Sequence, residues 1–266
     1  KTSDKAGIKI VTANMPLDQL LEKGWLLTNG RGGYSASSIV GCNTSNYHGL
    51  LIGSFDYPAN RVMSLSNCLE TVFWGSIKFE LSTFEFPMGT HPSGYMRQKS
   101  FLKDYGVHFY YELGELKLTK SVYLLREQNT LAIVYEFTGV EQPLDFTVRP
   151  LVAMRDFHAI QKSSTHITSS QVSEGVLIQH QNQELGSLLL SCPGAIYEND
   201  PQWWFNFVYR SCKERGQDFS EDLYTPGVFK FHIDEPETLV LWADLNKIYK
   251  PGHFIGPDIE YVTEQL

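Results

Sequence analysis

Three stretches of the sequence concentrate side chains that can bind a polar ligand through hydrogen bonds. The first covers residues 25–38 and places three glycines within four residues, between Asn29 and Tyr34. Glycines free the backbone for positive φ angles and for close approach to another surface. Because the spacing fails the GxGxxG pattern and no helix pattern follows, a phosphate-binding loop is disfavoured. Two interpretations remain: a tight turn between strands, or a loop that presents Asn29, Arg31 and Tyr34 to a polar ligand.

The second stretch, residues 41–51, contains Asn43, Tyr47 and His48. All three side chains can form hydrogen bonds with hydroxyl groups. A single histidine is more often structural than catalytic, and no GxSxG nucleophile motif accompanies His48, so the sequence does not support a hydrolase triad. The stretch therefore predicts polar contacts rather than nucleophilic chemistry.

The third stretch is split between residues 149–158 and 203–227. Its first part ends in Arg155, Asp156 and His158. Arg155 and Asp156 could form an ion pair at a strand end, and Asp156 with His158 could bind a metal, but the sequence offers no third ligand at a suitable spacing. We expect all three polar stretches to depart from ordinary strand structure.

Two adjacent tryptophans begin the second part of the third stretch. Since neighbouring residues of a strand point to opposite faces, Trp203 and Trp204 cannot both enter one core layer. At least one of them is expected to meet a loop, a partner domain or a sugar ring. A sugar ring presents C–H faces to aromatic side chains and hydroxyls to polar ones, and Glu221 and Asp222 follow in the same stretch. This combination indicates a carbohydrate site.

The rest of the sequence shows the period-two alternation of half-buried strands. It is clearest over residues 77–81, 131–138 and 144–148. Further strand candidates are 107–113, 116–125, 176–180, 188–192, 195–198, 228–233 and 238–243. One early helix is predicted over 16–23. Many short strands with tight turns predict an all-β fold, a large antiparallel β-sandwich that forms one domain over residues 1–266, with 1–23 as a leader that includes the short helix.

The composition narrows the classes of partner and compartment. A net charge of −8 without clustered Lys and Arg argues against nucleic acid or an anionic membrane as a partner. No apolar run approaches the roughly 20 residues that span a bilayer, and no signal-peptide pattern opens the chain. The four cysteines are far apart, which predicts reduced thiols in a cytoplasmic protein, without disulfides or a zinc site. We expect no metal and no cofactor.

Ordered motifs in these stretches closely resemble the N-terminal domain of bacterial and archaeal-type glycogen debranching enzymes, the amylo-α-1,6-glucosidase family. They begin at Trp25, Asn43, Arg149 and Arg215 and read WLLTNGxGGY, NTxxYHGLL, RPLVAxRDFH and RGxDFxEDLYxPG. The resemblance implies a β-supersandwich similar to galactose-mutarotase-like folds. In the family this domain precedes an (α/α)6 barrel that carries the glycosidase carboxylates. The barrel is expected to be absent from this chain, so no catalytic residue is expected here.

The chain departs from the family pattern at four positions. Gly24 stands where an acidic residue is common, Ser45 and Asn46 stand where two arginines are common, and Arg31 replaces an apolar residue. These differences change the charge of the surface that would face a ligand or a barrel. Details of ligand binding are therefore not carried over at these positions.

The resemblance implies that the domain packs on the C-terminal (α/α)6 catalytic domain and contributes loops to a cleft for an α-1,4/α-1,6-glucan, either glycogen or a limit dextrin. The expected substrate-binding residues are Asn29, Tyr34, Tyr47, His48, Arg155, Asp156, His158, Trp203, Glu221 and Asp222. A purely structural interdomain module and a stand-alone glucan-binding module remain as alternatives. Hydrolysis would need two carboxyl groups about 5–10 Å apart, and the resemblance places that pair in the barrel rather than among Asp156, Asp218, Glu221 and Asp222.

Overall fold

The computed structural model describes residues 7–57, 59–252 and 254, and most of them lie in β-strands. The strands are β1 (Ile8–Val11), β2 (Gly24–Thr28), β3 (Tyr34–Ser38), β4 (Gly49–Asp56), β5 (Ala59–Trp74), β6 (Ile77–Glu80), β7 (Thr83–Phe86), β8 (Gly89–Ser93), β9 (Gln98–Lys103), β10 (Val107–Leu113), β11 (Leu116–Leu124), β12 (Thr130–Thr138), β13 (Leu144–Asp156), β14 (Ile167–Val172), β15 (Gly175–His180), β16 (Ser187–Ser191), β17 (Ile196–Val208), β18 (Ser220–Ile233) and β19 (Glu237–Asn246). Two short helices, α1 (Leu17–Leu21) and α2 (Arg210–Glu214), and two 3-10 turns, Gly94–Arg97 and Gln183–Leu185, lie between them.

The strands form two large antiparallel sheets that pack face to face. One sheet has nine strands in the order β1-β9-β10-β11-β12-β19-β16-β15-β14. The other has eight, in the order β17-β18-β13-β5-β4-β3-β2, with β6 paired to β5; β7 and β8 form a separate hairpin. The predicted antiparallel β-sandwich is thus confirmed.

Alternating side chains of both sheets fill the space between them. On β12, Leu131, Ile133, Tyr135 and Phe137 are all at most 1% exposed. The rings of Tyr135 and Phe137 each meet Phe146 of the facing sheet edge-on, with ring centroids 5.0 Å apart. Such edge-to-face pairs stabilise a core by more than the burial of their apolar surface alone would.

The outer face of the eight-stranded sheet is apolar as well. Its outer apolar cluster comprises Ile52, Met63, Leu69, Phe84, Leu151, Ala153, Phe207 and Leu223. Adjacent residues of a strand point to opposite faces, so Leu51 lies in the core between the sheets while Ile52 lies in the outer cluster. The hairpin of β7 and β8 contributes Phe84 to this cluster. The central strands of this sheet are therefore buried on both sides.

The strands predicted from the sequence match the structure better in the nine-stranded sheet than in the eight-stranded sheet. The early helix is confirmed over Leu17–Leu21, and β10 coincides with the predicted strand 107–113. No bounds were predicted for strands β2 to β5. β5 runs for 16 residues and is buried on both faces over most of its length, so it lacks the alternation that marks a half-buried strand.

The first polar stretch is a tight turn between the paired strands β2 and β3, which agrees with one of its two interpretations, whereas the expectation that the third departs from strand structure is wrong. These stretches lie largely in β2, β3, β13, β17 and β18. The strand pattern is broken there by irregular pairing: the register shifts between Val152 and Arg155 on β13 and between Trp204 and Phe207 on β17. A β-bulge redirects the side chains that follow it and so breaks the alternation. The second stretch does leave strand structure, as a loop that ends where β4 begins at Gly49.

Within the described part of the chain, no helix combines the length and the hydropathy that a membrane crossing requires. The four cysteines are free thiols, of which Cys42, Cys68 and Cys212 are buried.

Candidate functional site

A buried ion pair lies on the outer face of the eight-stranded sheet. Arg155 of β13 is 4% exposed and Glu221 of β18 is fully buried. The Arg155 Nε donates a hydrogen bond to one carboxylate oxygen of Glu221, and Nη2 donates to the other at 3.1 Å. Burial opposes the charge of Arg155, but Glu221 more than compensates and raises the pKa of the guanidinium above its ordinary value. The Glu221 carboxylate also accepts hydrogen bonds from the Tyr209 hydroxyl and, at 2.9 Å, from the Gln161 N–H.

This ion pair holds two loops in place. Arg155 Nη1 donates to the backbone carbonyls of Asp156 and Phe157 at 3.2 and 3.1 Å. Its Nη2 donates to the carbonyl of Asn46 at 2.8 Å. The hydrogen bonds to Asp156 and Phe157 fix the start of the loop 156–161, and the hydrogen bond from the Gln161 N–H to Glu221 fixes its end. The hydrogen bond to Asn46 fixes the loop 43–48. A single buried guanidinium therefore links segments that are far apart in sequence.

Three accessible polar side chains stand on these two loops, and we call them the exposed polar cluster: Tyr47, Asp156 and His158. The Tyr47 hydroxyl lies 3.1 Å from His158 Nδ1. Asp156 accepts a hydrogen bond from the His158 N–H at 2.9 Å, which fixes the turn between them. Asp156 and His158 are exposed, and Tyr47 is half-buried with its ring edge-on to Phe157. The predicted residues Tyr47, Asp156 and His158 are thus brought together at the surface.

Tyr34 and His48 form hydrogen bonds with the backbone of the loop 43–48, which carries Tyr47. The Tyr34 hydroxyl donates to the Tyr47 carbonyl at 2.8 Å, and burial raises the pKa of Tyr34 to about 12. His48 Nδ1 accepts the Thr44 N–H at 3.1 Å, and burial lowers the pKa of His48 to about 4. At neutral pH the His48 ring is therefore uncharged, with its proton on Nε2. Both side chains order the loop that carries Tyr47.

The side chains of Asn29 and Asp222 form hydrogen bonds with backbone groups inside the protein. The Asn29 carbonyl oxygen accepts from the N–H groups of Arg31 and Gly33 at 2.8 and 3.0 Å, and its amide donates to the Gln128 carbonyl. Asn29 thereby closes the glycine loop. Asp222 accepts from the backbone N–H groups of Ser163 and Asn206, each at 3.0 Å. Like Arg155 and Glu221, these two residues are buried and hydrogen-bonded within the protein.

The two tryptophans of β17 face opposite sides of the sheet, as predicted. Trp203 meets Tyr224 edge-on at 5.5 Å and packs against the core between the sheets. Trp204 packs against the outer apolar cluster. The structure therefore places Trp203 on the other side of the sheet from the exposed polar cluster.

Two groups of residues at this site were not predicted from the sequence. Gln161 and Tyr209 complete the hydrogen bonds around Glu221, and Arg61 lies over the Phe157 ring at 5.4 Å. Tyr209 falls inside the third stretch, where its neighbours could have drawn attention to it. Arg61 stands in β5 without any motif, and its position becomes visible when β5 pairs with β13.

The chemistry available at this surface is hydrogen bonding to a polar ligand. Tyr47 and His158 can donate or accept, and Asp156 accepts. Of the four carboxylates considered for hydrolysis, Glu221 and Asp222 are buried and accept hydrogen bonds within the protein, while Asp156 and Asp218 are exposed. Within the described residues, no group of three or more His, Cys, Asp or Glu is arranged to hold a metal ion.

A comparison with protein families agrees with the sequence motifs. The family model described as glycogen debranching enzyme N terminal matches residues 23–240. A bacterial glucoamylase complexed with acarbose aligns at 11% identity over 97% of this chain and 39% of its own, with a TM-score of 0.46. A putative kojibiose phosphorylase from human microbiome aligns at 9% identity over 96% of this chain and 34% of its own, with a TM-score of 0.44.

This chain spans about two fifths or less of the length of those two proteins. No curated protein shows significant sequence similarity to it. The family model, however, covers most of the chain, from the start of β2 to the middle of β19. The chain therefore belongs to the glycogen debranching enzyme N-terminal family.

Proposed function

We propose that this chain is the non-catalytic domain of a glycogen-debranching glycoside hydrolase and that its exposed polar cluster contacts an α-glucan bound at a neighbouring (α/α)6 catalytic domain. The observation that carries the proposal is the pairing of accessible side chains with a buried anchor. Tyr47, Asp156 and His158 face solvent, while their loops are tied to the Arg155–Glu221 ion pair.

Preorganisation is what such a contact surface needs. A flexible loop loses conformational freedom when it binds a ligand, and that loss reduces affinity. Here the backbone of the loop 156–161 is fixed at both ends before a ligand arrives. The cluster offers one anionic acceptor and two groups of mixed donor and acceptor character, which suits neutral hydroxyl groups.

Exposed apolar side chains on the same sheet favour a second candidate, a structural interdomain module. Leu26 on β2 is 51% exposed, and Trp204 is half-buried at the margin of the outer apolar cluster. Interfaces between domains of one chain are often polar as well as apolar. In this alternative the exposed polar cluster contacts protein and never touches sugar.

Calorimetric titration of the 266-residue chain with maltoheptaose separates the two candidates. We expect saturable binding that His158→Ala and Asp156→Asn each weaken about 3- to 10-fold, the value of one hydrogen bond. Asp156→Asn keeps an oxygen for the His158 N–H, so the turn should survive. The matched controls are His166→Ala and Asp234→Asn, which change exposed residues outside this site. Absent binding, or binding that the two substitutions leave unchanged, contradicts the glucan role and favours the interdomain module.

A further inference from the structure

A groove opens on the eight-stranded sheet beside the exposed polar cluster. We call it the tyrosine groove; it is lined by Leu26, Thr28, Tyr34, Tyr57, Arg61 and the three glycines of the glycine loop 30–33, and its volume is about 550 Å³. Ligand pockets in proteins commonly measure about 300–1,000 Å³. Neither the sequence motifs nor the proposed contacts of the exposed polar cluster assign a role to Tyr57 or Arg61.

Arg61 is oriented by the protein but retains free donors. Its Nε donates to the Gly32 carbonyl at 2.6 Å, and its guanidinium lies over the Phe157 ring. None of the ion pairs among the described residues includes Arg61. In the described part of the chain, its Nη groups have no hydrogen-bond partner. A planar guanidinium held in this way can donate to two adjacent oxygens of a ligand.

The walls of the groove add aromatic faces. Tyr57 is 68% exposed, and Tyr34 is half-buried with its hydroxyl on the Tyr47 carbonyl. Gly30 has a φ of +78°, and a Cβ at this position would meet no atom within 4 Å, so the loop leaves the space beside it open. The groove therefore combines ring faces, a fork of donors and a wall without side chains.

A neutral polyol fits this combination better than an anion does. Asp56 pairs in register with Ala59, and Asp156 pairs with Val62, so carboxylates stand on the strands on either side of Arg61. An anionic ligand would be repelled by these carboxylates, whereas a neutral ligand would not. A sugar ring has apolar C–H faces for the tyrosines and vicinal hydroxyls for the guanidinium, whereas a phosphate would use only the guanidinium.

We propose that the tyrosine groove is a second sugar subsite, which takes one hexose unit of an α-glucan whose next units contact the exposed polar cluster. The inference rests on the proposed function, because it takes the glucan as the ligand. Two contacts make the groove continuous with the cluster: Tyr34 donates to the backbone of Tyr47, and Arg61 lies over the ring that precedes His158.

Amide chemical-shift mapping of the 266-residue chain with maltoheptaose tests the groove and the cluster separately. The amides of Gly30, Gly32 and Gly33 report on the groove, and those of residues 156–159 report on the cluster. We expect both sets to shift with the same saturation curve. We also expect Tyr57→Ala and Arg61→Gln each to weaken binding at least about threefold, the loss of one modest contact. Tyr105→Ala and Arg126→Gln, which change exposed residues outside the groove, are the matched controls.

Each other outcome has a definite meaning. Shifts confined to residues 156–159, with wild-type affinity for the Tyr57 and Arg61 variants, overturn the groove and retain the proposed function. Shifts confined to the glycine loop retain the groove and contradict the role of the exposed polar cluster. Shifts at the groove with inorganic phosphate but not with maltoheptaose identify an anion site and overturn the sugar assignment. No shift with maltoheptaose at either set overturns both proposals.

Discussion

Two buried ion pairs of this protein have similar burial but different surroundings. Glu70 of β5 and Lys120 of β11 join the two sheets inside the sandwich, with 2% and 7% of each residue exposed and 2.5 Å between the charged atoms. Tyr135 and Ser82 donate further hydrogen bonds to the Glu70 carboxylate. Lys120 lies over the Phe109 ring at 5.8 Å. The partners of this pair are all side chains, and they come from strands β5, β11 and β12 and from Ser82 beside β7.

Apart from the hydrogen bond that Glu221 accepts from the Tyr209 hydroxyl, the Arg155–Glu221 pair instead forms its remaining hydrogen bonds with loop backbone. Three carbonyls and one N–H of the loops 43–48 and 156–161 contact it. Those loops carry the exposed polar cluster. Buried charge therefore does not by itself mark a functional site in this fold. The distinguishing feature is what the charged groups hold, either core packing or a surface.

The largest expected effect is the loss of the core pair. Lys120→Met leaves the Glu70 carboxylate buried without its counter-charge, and we expect it to lower the free energy of unfolding by about 3–5 kcal/mol. Urea denaturation measures this change. The double variant Lys120→Met with Glu70→Leu should recover most of the loss, because no uncompensated charge remains. A double variant as unstable as the single one would contradict the view that this pair only completes the core.

Loss of the Arg155–Glu221 pair should lower global stability and should also loosen the loop 156–161 locally. Glu221→Gln leaves Arg155 buried without a full counter-charge, and we expect a loss of about 2–4 kcal/mol. It should also speed hydrogen exchange at the amides of His158 and Gln161 beyond the loss of global stability. Lys120→Met is the control, since it should change exchange at these amides only as far as it changes global stability. Equal local exchange in the two variants would remove the distinction between the pairs.

A pH-dependent effect of moderate size should come from His48. Burial lowers its pKa to about 4 in the folded protein, below the ordinary value of 6.5. Between these pH values His48 is protonated in the unfolded chain but not in the folded protein. The contribution of His48 to the free energy of unfolding is therefore fully present above pH 6.5 and is lost as the pH falls toward 4. Because the ring is partly exposed, we expect a loss of about 1–2 kcal/mol.

Urea denaturation at neutral and at acidic pH measures the contribution of His48. His48→Gln should flatten the dependence in this window. The matched control is His232→Gln, at a fully exposed histidine whose pKa is raised by its hydrogen bond with Asp145 and which therefore contributes in the opposite direction. A variant at His48 with an unchanged pH dependence would show that other groups cause it.

The nine-stranded sheet was largely predictable from the sequence because several of its strands are buried on one face. Strand β10 alternates between core residues such as Phe109 and partly exposed ones such as His108, and its predicted bounds match. The eight-stranded sheet is covered by apolar side chains on both faces in its centre, so β4 and β5 carry no alternation. On β13 and β17 the bulges disrupt the remaining pattern.

The site was predictable in part through the ordered motifs. The motifs include Tyr47, Asp156 and His158 among the expected substrate-binding residues, and the structure places these side chains together. Their contacts depend on pairing between distant segments, such as the hydrogen bond from Arg155 to Asn46 across 109 positions, which a single sequence does not reveal. Trp203 was expected at the same site, but the alternation of β17 turns it to the inner face. Arg61 and Tyr57 belong to no motif and could not be selected.

A crystal structure of the chain with bound maltoheptaose would show whether the exposed polar cluster contacts an α-glucan. We expect sugar hydroxyls within hydrogen-bond distance of the Tyr47 hydroxyl, His158 Nε2 or the Asp156 carboxylate, with the loop 156–161 still hydrogen-bonded to Arg155. Sugar bound on the nine-stranded sheet, or a loop 156–161 rearranged away from Arg155, would contradict this expectation.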